Sequence, residues 1–391
     1  MAKIAFLSDS PFTITGFATI TREILNGLAK NGHECHIFAH NYPGQTLPPG
    51  TKLSDGTVFN FSIWGCGREQ YFRDILEQRI KELKPDIFGI LLDTFMVYPW
   101  ILDMNFAPAK TIFYFPSDGG GGLPLGCENI LKKFDAPVAM AKFGQRQCKG
   151  IHGFDTSYIP HAVNHKIFYP LTKTERLLLK QKVGLENKFV VGVVARNQPR
   201  KMLDRTIKSF SIFAKDKDDV VLFMHCDPHD GAAVFDMMNL INRYNIQNKV
   251  IFSGMRYFKG VEQKELNDIY NLFDVFYLTT SGEGFGVPII EASSCGIPTV
   301  VTDYTTTPEL LVEDGKCGIP VPITAEITGS WNVERGVMDD KKGAAALQKL
   351  YDNPKLKSRL GNAGRKKVLK YYTWKVVDKE WNKLINQMTS Y

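Results

Sequence analysis

Short apolar runs alternate along this chain with longer stretches in which apolar positions recur every three or four residues. Lys3–Leu7 predicts a strand, and helical spacing runs from about Phe17 to Lys30, closed by Asn31-Gly32. Glu34–Ala39 predicts the next strand, followed by strands at about Ile87–Leu92, Thr111–Phe115, Val138–Ala141 and Tyr158–Ile159. Strand, helix, strand in this order predicts parallel βαβ units in a sheet covered on both faces.

The alternation pauses at Ile159-Pro160-His161-Ala162-Val163-Asn164 and then restarts. New strands are predicted at Phe189–Val194, Val220–His225, Lys249–Phe252, Val275–Leu278 and Thr299–Thr302. The expected fold class is α/β, with two doubly wound Rossmann-like domains, residues 1–165 and 166–370, each able to bury its own core. Residues 371–391 predict a closing helix, Thr373–Met388. It carries Trp374, Val377, Trp381, Leu384 and Ile385 on one face and is expected to pack back toward the N-terminal domain. Two such domains face each other across a cleft at the carboxyl ends of their strands, where open α/β sheets bind ligands, commonly nucleotides.

Composition narrows the class. Over 391 residues, 44% apolar and 23% charged positions exclude disordered, collagen-like and disulfide-miniprotein chains. The 48 basic and 41 acidic groups give a net charge of +7, and residues 1–165 hold 15 of each, so the excess lies in the second part. Residues 355–383 carry ten basic groups against Asp378 and Glu380. That stretch reads as a solvated helical face or as a contact for phosphate-bearing lipid, polymer or nucleic acid. Seven scattered cysteines without a CxxC fit a reducing compartment. The N-terminus turns polar too early for a signal peptide. The most apolar stretch, Ile87–Phe106, is interrupted by Asp93, Pro99 and Asp103, short of the ~20 residues a span needs. The expectation is a cytoplasmic protein, at most peripheral to a membrane.

Candidate chemistry concentrates after predicted strands. Ser281-Gly282-Glu283-Gly284-Phe285-Gly286-Val287-Pro288-Ile289-Ile290-Glu291 follows the strand Val275–Leu278. Pro288 suits the first turn of a helix, so Glu283 and Gly284-Phe285-Gly286 form the strand-to-helix loop and Glu291 lies about one turn in. Free N–H groups there suit a phosphate or a sugar hydroxyl, and two carboxylates eight positions apart can accept hydroxyls from separate parts of one polar ligand. Upstream, Val193-Val194-Ala195-Arg196-Asn197-Gln198-Pro199-Arg200-Lys201 delivers cations to the same side. Fixed cations stabilise a diphosphate most as negative charge develops on it. Arg196 and Lys201 are the candidates, with Arg200 an alternative claimant.

Glu, seven residues, Glu, with Gly-Phe-Gly between, resembles the signature of family 4 retaining glycosyltransferases of the GT-B fold. The resemblance extends to the Ile-Pro-x-x-Val-Asn linker, the stretch from Asp303-Tyr304-Thr305 to Glu309-Leu310, and the closing Tyr-Thr-Trp at 372–374. It implies that Glu283 contacts hydroxyls of the transferred sugar and that Glu291 holds the ribose. Arg196 and Lys201 would neutralise the diphosphate, and the backbone of Phe285, Gly286 and Val287 would meet sugar and diphosphate.

Three further loops complete the expectation. In Ser8-Asp9-Ser10-Pro11-Phe12-Thr13-Ile14-Thr15-Gly16, Gly16 permits close approach of backbone to phosphate, while the absence of GxGxxG disfavours dehydrogenase chemistry. Phe115-Pro116-Ser117-Asp118 leads into four glycines, and Asp118 is placed to orient or deprotonate an acceptor hydroxyl, with Asp93 a second candidate. Phe252-Ser253-Gly254-Met255-Arg256-Tyr257 is where a base would be held, Met255 among its contacts. His225-Cys226-Asp227-Pro228-His229-Asp230 could bind metal, but a loop beside the nucleotide is the favoured reading, and no metal site is expected.

The sequence thus points to a retaining hexosyltransferase. Its donor would be a UDP- or GDP-linked sugar, UDP-glucose among them, with no further cofactor. Its acceptor is open: a glycan, lipid, polyol, protein or nucleic acid, with the basic stretch leaning toward something anionic. Alternatives are a transferase acting on modified nucleic-acid bases, marked by salt-dependent duplex affinity; a sugar-nucleotide epimerase, needing no acceptor; and a silent nucleotide-sugar-binding module, marked by donor binding without turnover.

Overall fold

The computed structural model describes residues 1–52, 56–256 and 259–390. Its first sheet has seven parallel strands in the spatial order Ser62–Gly65, Glu34–His40, Lys3–Asp9, Ile87–Leu91, Lys110–Phe115, Ala136–Ala139, Ser157–Tyr158. The second has six, ordered Val250–Phe252, Val220–His225, Phe189–Val194, Val275–Leu278, Thr299–Thr302, Gly318–Val321. Central strands such as Lys3–Asp9 are continuously apolar because helices cover both faces, which leaves no solvent side to enforce alternation. The α/β fold of two facing doubly wound domains is as expected.

Each sheet reverses direction once. The first builds outward from Lys3–Asp9 to Ser62–Gly65, then returns to Ile87–Leu91 and grows the other way. The second builds outward from Phe189–Val194 to Val250–Phe252, then returns to Val275–Leu278. Chain connections leave in opposite directions at these two points, so each opens a crevice beyond the strand carboxyl ends.

The helix after the first strand spans Gly16–Lys30, one residue earlier than expected. Thr15 caps it: its hydroxyl accepts from Ala18 N at 3.1 Å and donates to Asp9 Oδ2 at 2.6 Å. Ile20, Ile24 and Leu28 recur at helical spacing on its buried face. The strand expected at Val138–Ala141 lies at Ala136–Ala139, because its pairing with the strand Lys110–Phe115 ends at Ala139.

The closing helix, Trp374–Thr389, buries Val377, Trp381 and Ile385. Trp381 stands edge-on to Phe6 and Tyr114 of the first sheet, with ring centroids 6.0 and 4.9 Å away. The chain crosses between the sheets twice, and the crossings lie side by side: Val163 N donates to Tyr372 O at 2.9 Å. Part of the basic C-terminal stretch is turned inward. Lys357 pairs with Asp274 at 3.0 Å, Arg365 donates to Ser294 O at 2.7 Å, and Lys367 donates to Glu309 O at 2.7 Å. No helix among the described residues is long and apolar enough to cross a membrane. All seven cysteines are free.

One feature has no counterpart in the sequence pattern. After the last strand of the second sheet, Ile323–Thr328 and Glu334–Met338 form an antiparallel hairpin. It reaches the first domain, where Gly120 and Glu334 exchange backbone hydrogen bonds of 2.9 and 3.1 Å.

Candidate functional site

The two loops at the second sheet's reversal point are stitched together. Pro199–Lys201 forms a single tight turn, and Met202, left-handed at φ 45°, redirects the chain into the helix Leu203–Phe213. Ser281 N donates to Arg200 O at 2.8 Å, and the Thr279 hydroxyl donates to Met202 O at 2.8 Å. This fixes Arg200 and Lys201 beside Glu283. Lys201 Nζ lies 2.6 Å from Glu283 Oε1, and Arg200 Nη1 lies 3.0 Å from Oε2. Burial alone would raise the Glu283 pKa. The Lys201 and Arg200 charges overcome it and hold the carboxyl at about 2, so the group is ionised.

Arg200 also faces the other domain, with Nε 3.2 Å from Asp118 Oδ2. Arg335, from the hairpin, meets Asp118 Oδ1 at 3.1 Å and donates to the Asp118 carbonyl. Asp118 lies three residues beyond its strand. Asp93 stands at the end of the neighbouring strand, at the first sheet's reversal point. Burial raises the Asp93 pKa to about 7; the Asp118 charge pushes the same way, against Arg200 and Arg335. Glu283, Lys201, Arg200, Asp118 and Arg335 therefore form one ionic chain across the cleft.

The glycine loop fits this closure. A Cβ on Gly282 would overlap the Asp118 carbonyl oxygen, and one on Gly284 would overlap Pro116, so both positions admit only glycine at this approach. Thr305 and Thr306 anchor the loop, Thr305 Oγ1 accepting from Glu283 N at 2.9 Å and Thr306 Oγ1 donating to Phe285 O at 2.8 Å. The buried Phe285 ring meets His161 of the linker edge-on at 5.0 Å. Gly286, at φ 104°, caps the helix Val287–Ser294, and Pro288 fills its first turn.

Glu291 projects from that helix, half-buried. Burial raises its pKa to about 7, partly offset by the Tyr270 hydroxyl, which donates to Oε2 at 2.7 Å. Gly16 opens the first domain's long helix, and a Cβ there would meet nothing within 4 Å. Met255 is half-buried beside Ser253, whose hydroxyl pairs with His225 Nδ1 at 2.9 Å. Tyr257 lies outside the described residues.

Arg196 is held differently from Lys201. Its guanidinium is bidentate on Asp230, at 2.7 and 3.0 Å. The acids of the 225–230 loop are likewise engaged, Asp227 with Arg256 at 3.3 Å. Among the described residues no group of three or more His, Cys, Asp or Glu side chains is arranged to hold a metal ion. Sequence reasoning missed Tyr270 and Arg335. Tyr270 sits on a helix face that reads as core, and Arg335 is 217 positions from Asp118, beyond any local signal.

Two facing α/β domains with their reversal points opposed define the GT-B fold. Residues 175–367 match the family model described as glycosyl transferases group 1. The chain is 30% identical over 149 residues to mannosylfructose-phosphate synthase of Agrobacterium fabrum, covering 37% of this chain and 32% of that protein. It is 27% identical over 337 residues to alpha-monoglucosyldiacylglycerol synthase of Acholeplasma laidlawii, covering 78% and 81%. The chain thus spans about a third of the first relative and most of the second. Among solved structures, sucrose-phosphate synthase of Thermosynechococcus elongatus superposes with a TM-score of 0.78 at 16% identity, over 99% of both chains.

Proposed function

We propose that this protein is a retaining glycosyltransferase that moves a hexose from a UDP- or GDP-linked sugar to a hydroxyl acceptor. The observation that carries the reading is the ionic chain from Lys201 through Glu283 and Arg200 to Asp118, which sits where the two reversal points meet. An ionised, buried Glu283 accepts hydroxyls of the transferred sugar. Glu291 receives the ribose, and Met255 lies by the base. Lys201 and Arg196 take the diphosphate, Arg196 exchanging Asp230 for phosphate, and Gly16 and the N–H groups of Phe285–Val287 complete the cradle.

The reaction follows from that placement. The glycosidic bond to the diphosphate lengthens, and the charge that accumulates on the leaving oxygen is met by fixed cations already in position. Glu283 is committed to two cations, which disfavours it as a nucleophile. The acceptor hydroxyl approaches on the face the diphosphate leaves, gives its proton to the departing phosphate, and anomeric configuration is retained. Asp118, held by Arg200 and Arg335, orients that hydroxyl. Domain closure excludes water and limits hydrolysis.

A thermal-shift screen of UDP- and GDP-sugars tests the reading. Donor should raise Tm, and Glu291→Ala and Lys201→Ala should each abolish that rise while the protein stays folded. Donor stabilisation that survives both substitutions contradicts the assignment.

A further inference from the structure

The two carboxylates of the donor-side domain are held in opposite ways. Glu283 is clamped between two cations, whereas among the described residues no Lys or Arg pairs with Glu291. The hydrogen-bond partner of Glu291 is a phenol, the Tyr270 hydroxyl, which donates to Oε2 at 2.7 Å. Glu291 Oε1 accepts from no protein group among the described residues. Tyr270 is fully buried, and burial holds its hydroxyl protonated, so toward a carboxylate it donates. A phenol at this depth needs a partner, and Glu291 supplies it.

The phenol is fixed from several sides. Its ring meets Phe168, Phe273 and Phe276, with centroids 6.0, 5.9 and 6.0 Å away. Tyr270 lies on the helix Gln263–Leu272, between the buried Asn267 and Asn271. Asn267 Oδ1 accepts from Tyr169 N at 3.0 Å and from the Cys295 thiol at 3.2 Å. Asn271 Oδ1 accepts from Leu171 N at 2.9 Å. Cys295 directly follows the helix Val287–Ser294, one turn after Glu291. The helix that carries the phenol is therefore tied to the helix that carries the carboxylate.

We propose that Tyr270 is a positioning residue for the ribose contact: by holding one oxygen of Glu291 it aims the carboxylate at the 2′- and 3′-hydroxyls, and the pair selects ribonucleotide over deoxyribonucleotide donors. The proposal rests on the placement of ribose at Glu291 proposed above. A ribose hydroxyl is a neutral donor, and it needs an acceptor that is fixed yet not already consumed. A cation in the place of Tyr270 would bind Glu291 as Glu283 is bound and take up its accepting capacity. A phenol occupies one acceptor position and leaves the others. A carboxylate with no anchor would have to be ordered by the ligand, at a cost to binding. A nucleotide without those hydroxyls leaves the carboxylate desolvated and unanswered, which is how such a site rejects it.

The test is titration calorimetry of the full chain at pH 8 with UDP, GDP and their 2′,3′-dideoxy counterparts. The ribonucleotide should bind the unaltered protein at least tenfold more tightly than its dideoxy form. Tyr270→Phe removes only the hydroxyl from a packed ring. It should weaken the ribonucleotide at least fivefold and leave the dideoxy Kd unchanged. Added to Glu291→Ala, the same substitution should change neither Kd, because its effect passes through the carboxylate. Ribonucleotide binding that is unchanged in Tyr270→Phe but lost in Glu291→Ala overturns the proposal and spares the ribose assignment. Equal losses of ribonucleotide and dideoxy affinity in Tyr270→Phe also overturn it, since they mark a general structural role. The ribose assignment itself fails, and the proposal with it, on any of three results: no nucleotide binds the unaltered protein, the dideoxy form binds it equally well, or Glu291→Ala binds the ribonucleotide as the unaltered protein does.

Discussion

Lys201 Nζ stands 2.6 Å from Glu283 Oε1, with the lysine 8% and the glutamate 5% exposed. A pair this buried is held by the fold rather than by solvent, and removing one partner strands the other. Lys201→Ala should therefore destabilise the protein by about 3 kcal/mol, reduced to the extent that Arg200 takes over Glu283. Urea unfolding at pH 7 measures this. A midpoint equal to that of the unaltered protein would show that the pair contributes nothing.

The same pair sets an acid limit. Glu283 titrates at about 2 in the folded protein, below the ordinary 4.5, so its ionised form favours folding. Its contribution is present above pH 4.5 and is lost as pH falls toward 2. Glu283→Gln should flatten the fall in Tm across that window, which a pH series of melting curves would reveal.

Glu291 predicts the opposite slope. Burial raises its folded pKa to about 7, so the folded state keeps a proton that the unfolded chain releases from about pH 4.5 upward. Its contribution is fully present below pH 4.5 and lost as pH rises to 7, level thereafter. Glu291→Gln should lose less stability than the unaltered protein between pH 5 and 8 and melt higher at pH 8, while failing to respond to donor. Parallel pH profiles for the two proteins would contradict this.

Gly282 and Asp118 touch across the cleft so closely that no side chain fits between them. Gly282→Ala should force the loops apart and lower transfer at least tenfold, with a smaller effect on donor affinity, because the donor contacts proposed for Glu291 and Lys201 lie in one domain. Separate measurement of donor Kd and kcat/KM for acceptor tests that division.

Trp381 joins the closing helix to the first sheet through Phe6 and Tyr114. Trp381→Ala should cost about 3–5 kcal/mol, as for other large buried aromatics. Trp381→Phe should cost less, because much of the apolar surface remains. Denaturant melts of both variants provide the comparison.

The fold was legible because buried parallel strands leave continuous apolar runs and their helices leave three-to-four spacing. The hairpin Ile323–Met338 was not, since its first strand is exposed along most of its length and carries no buried face to read. The loops that carry Glu283 and Lys201 were legible as breaks after strands. Which arginine of Arg196 and Arg200 meets Glu283 was not. Both follow the same strand, and the tight turn Pro199–Lys201 decides where Arg200 points. Arg335 carries no local signal because its partner, Asp118, is 217 positions away and lies in the other domain.

The position of a bound nucleotide sugar is the most direct check on these assignments. A crystal structure with UDP-glucose or GDP-mannose bound should show the diphosphate within ion-pair distance of Lys201 and Arg196, the ribose on Glu291 and the sugar hydroxyls on Glu283. A donor bound elsewhere, with this cleft empty, would contradict them.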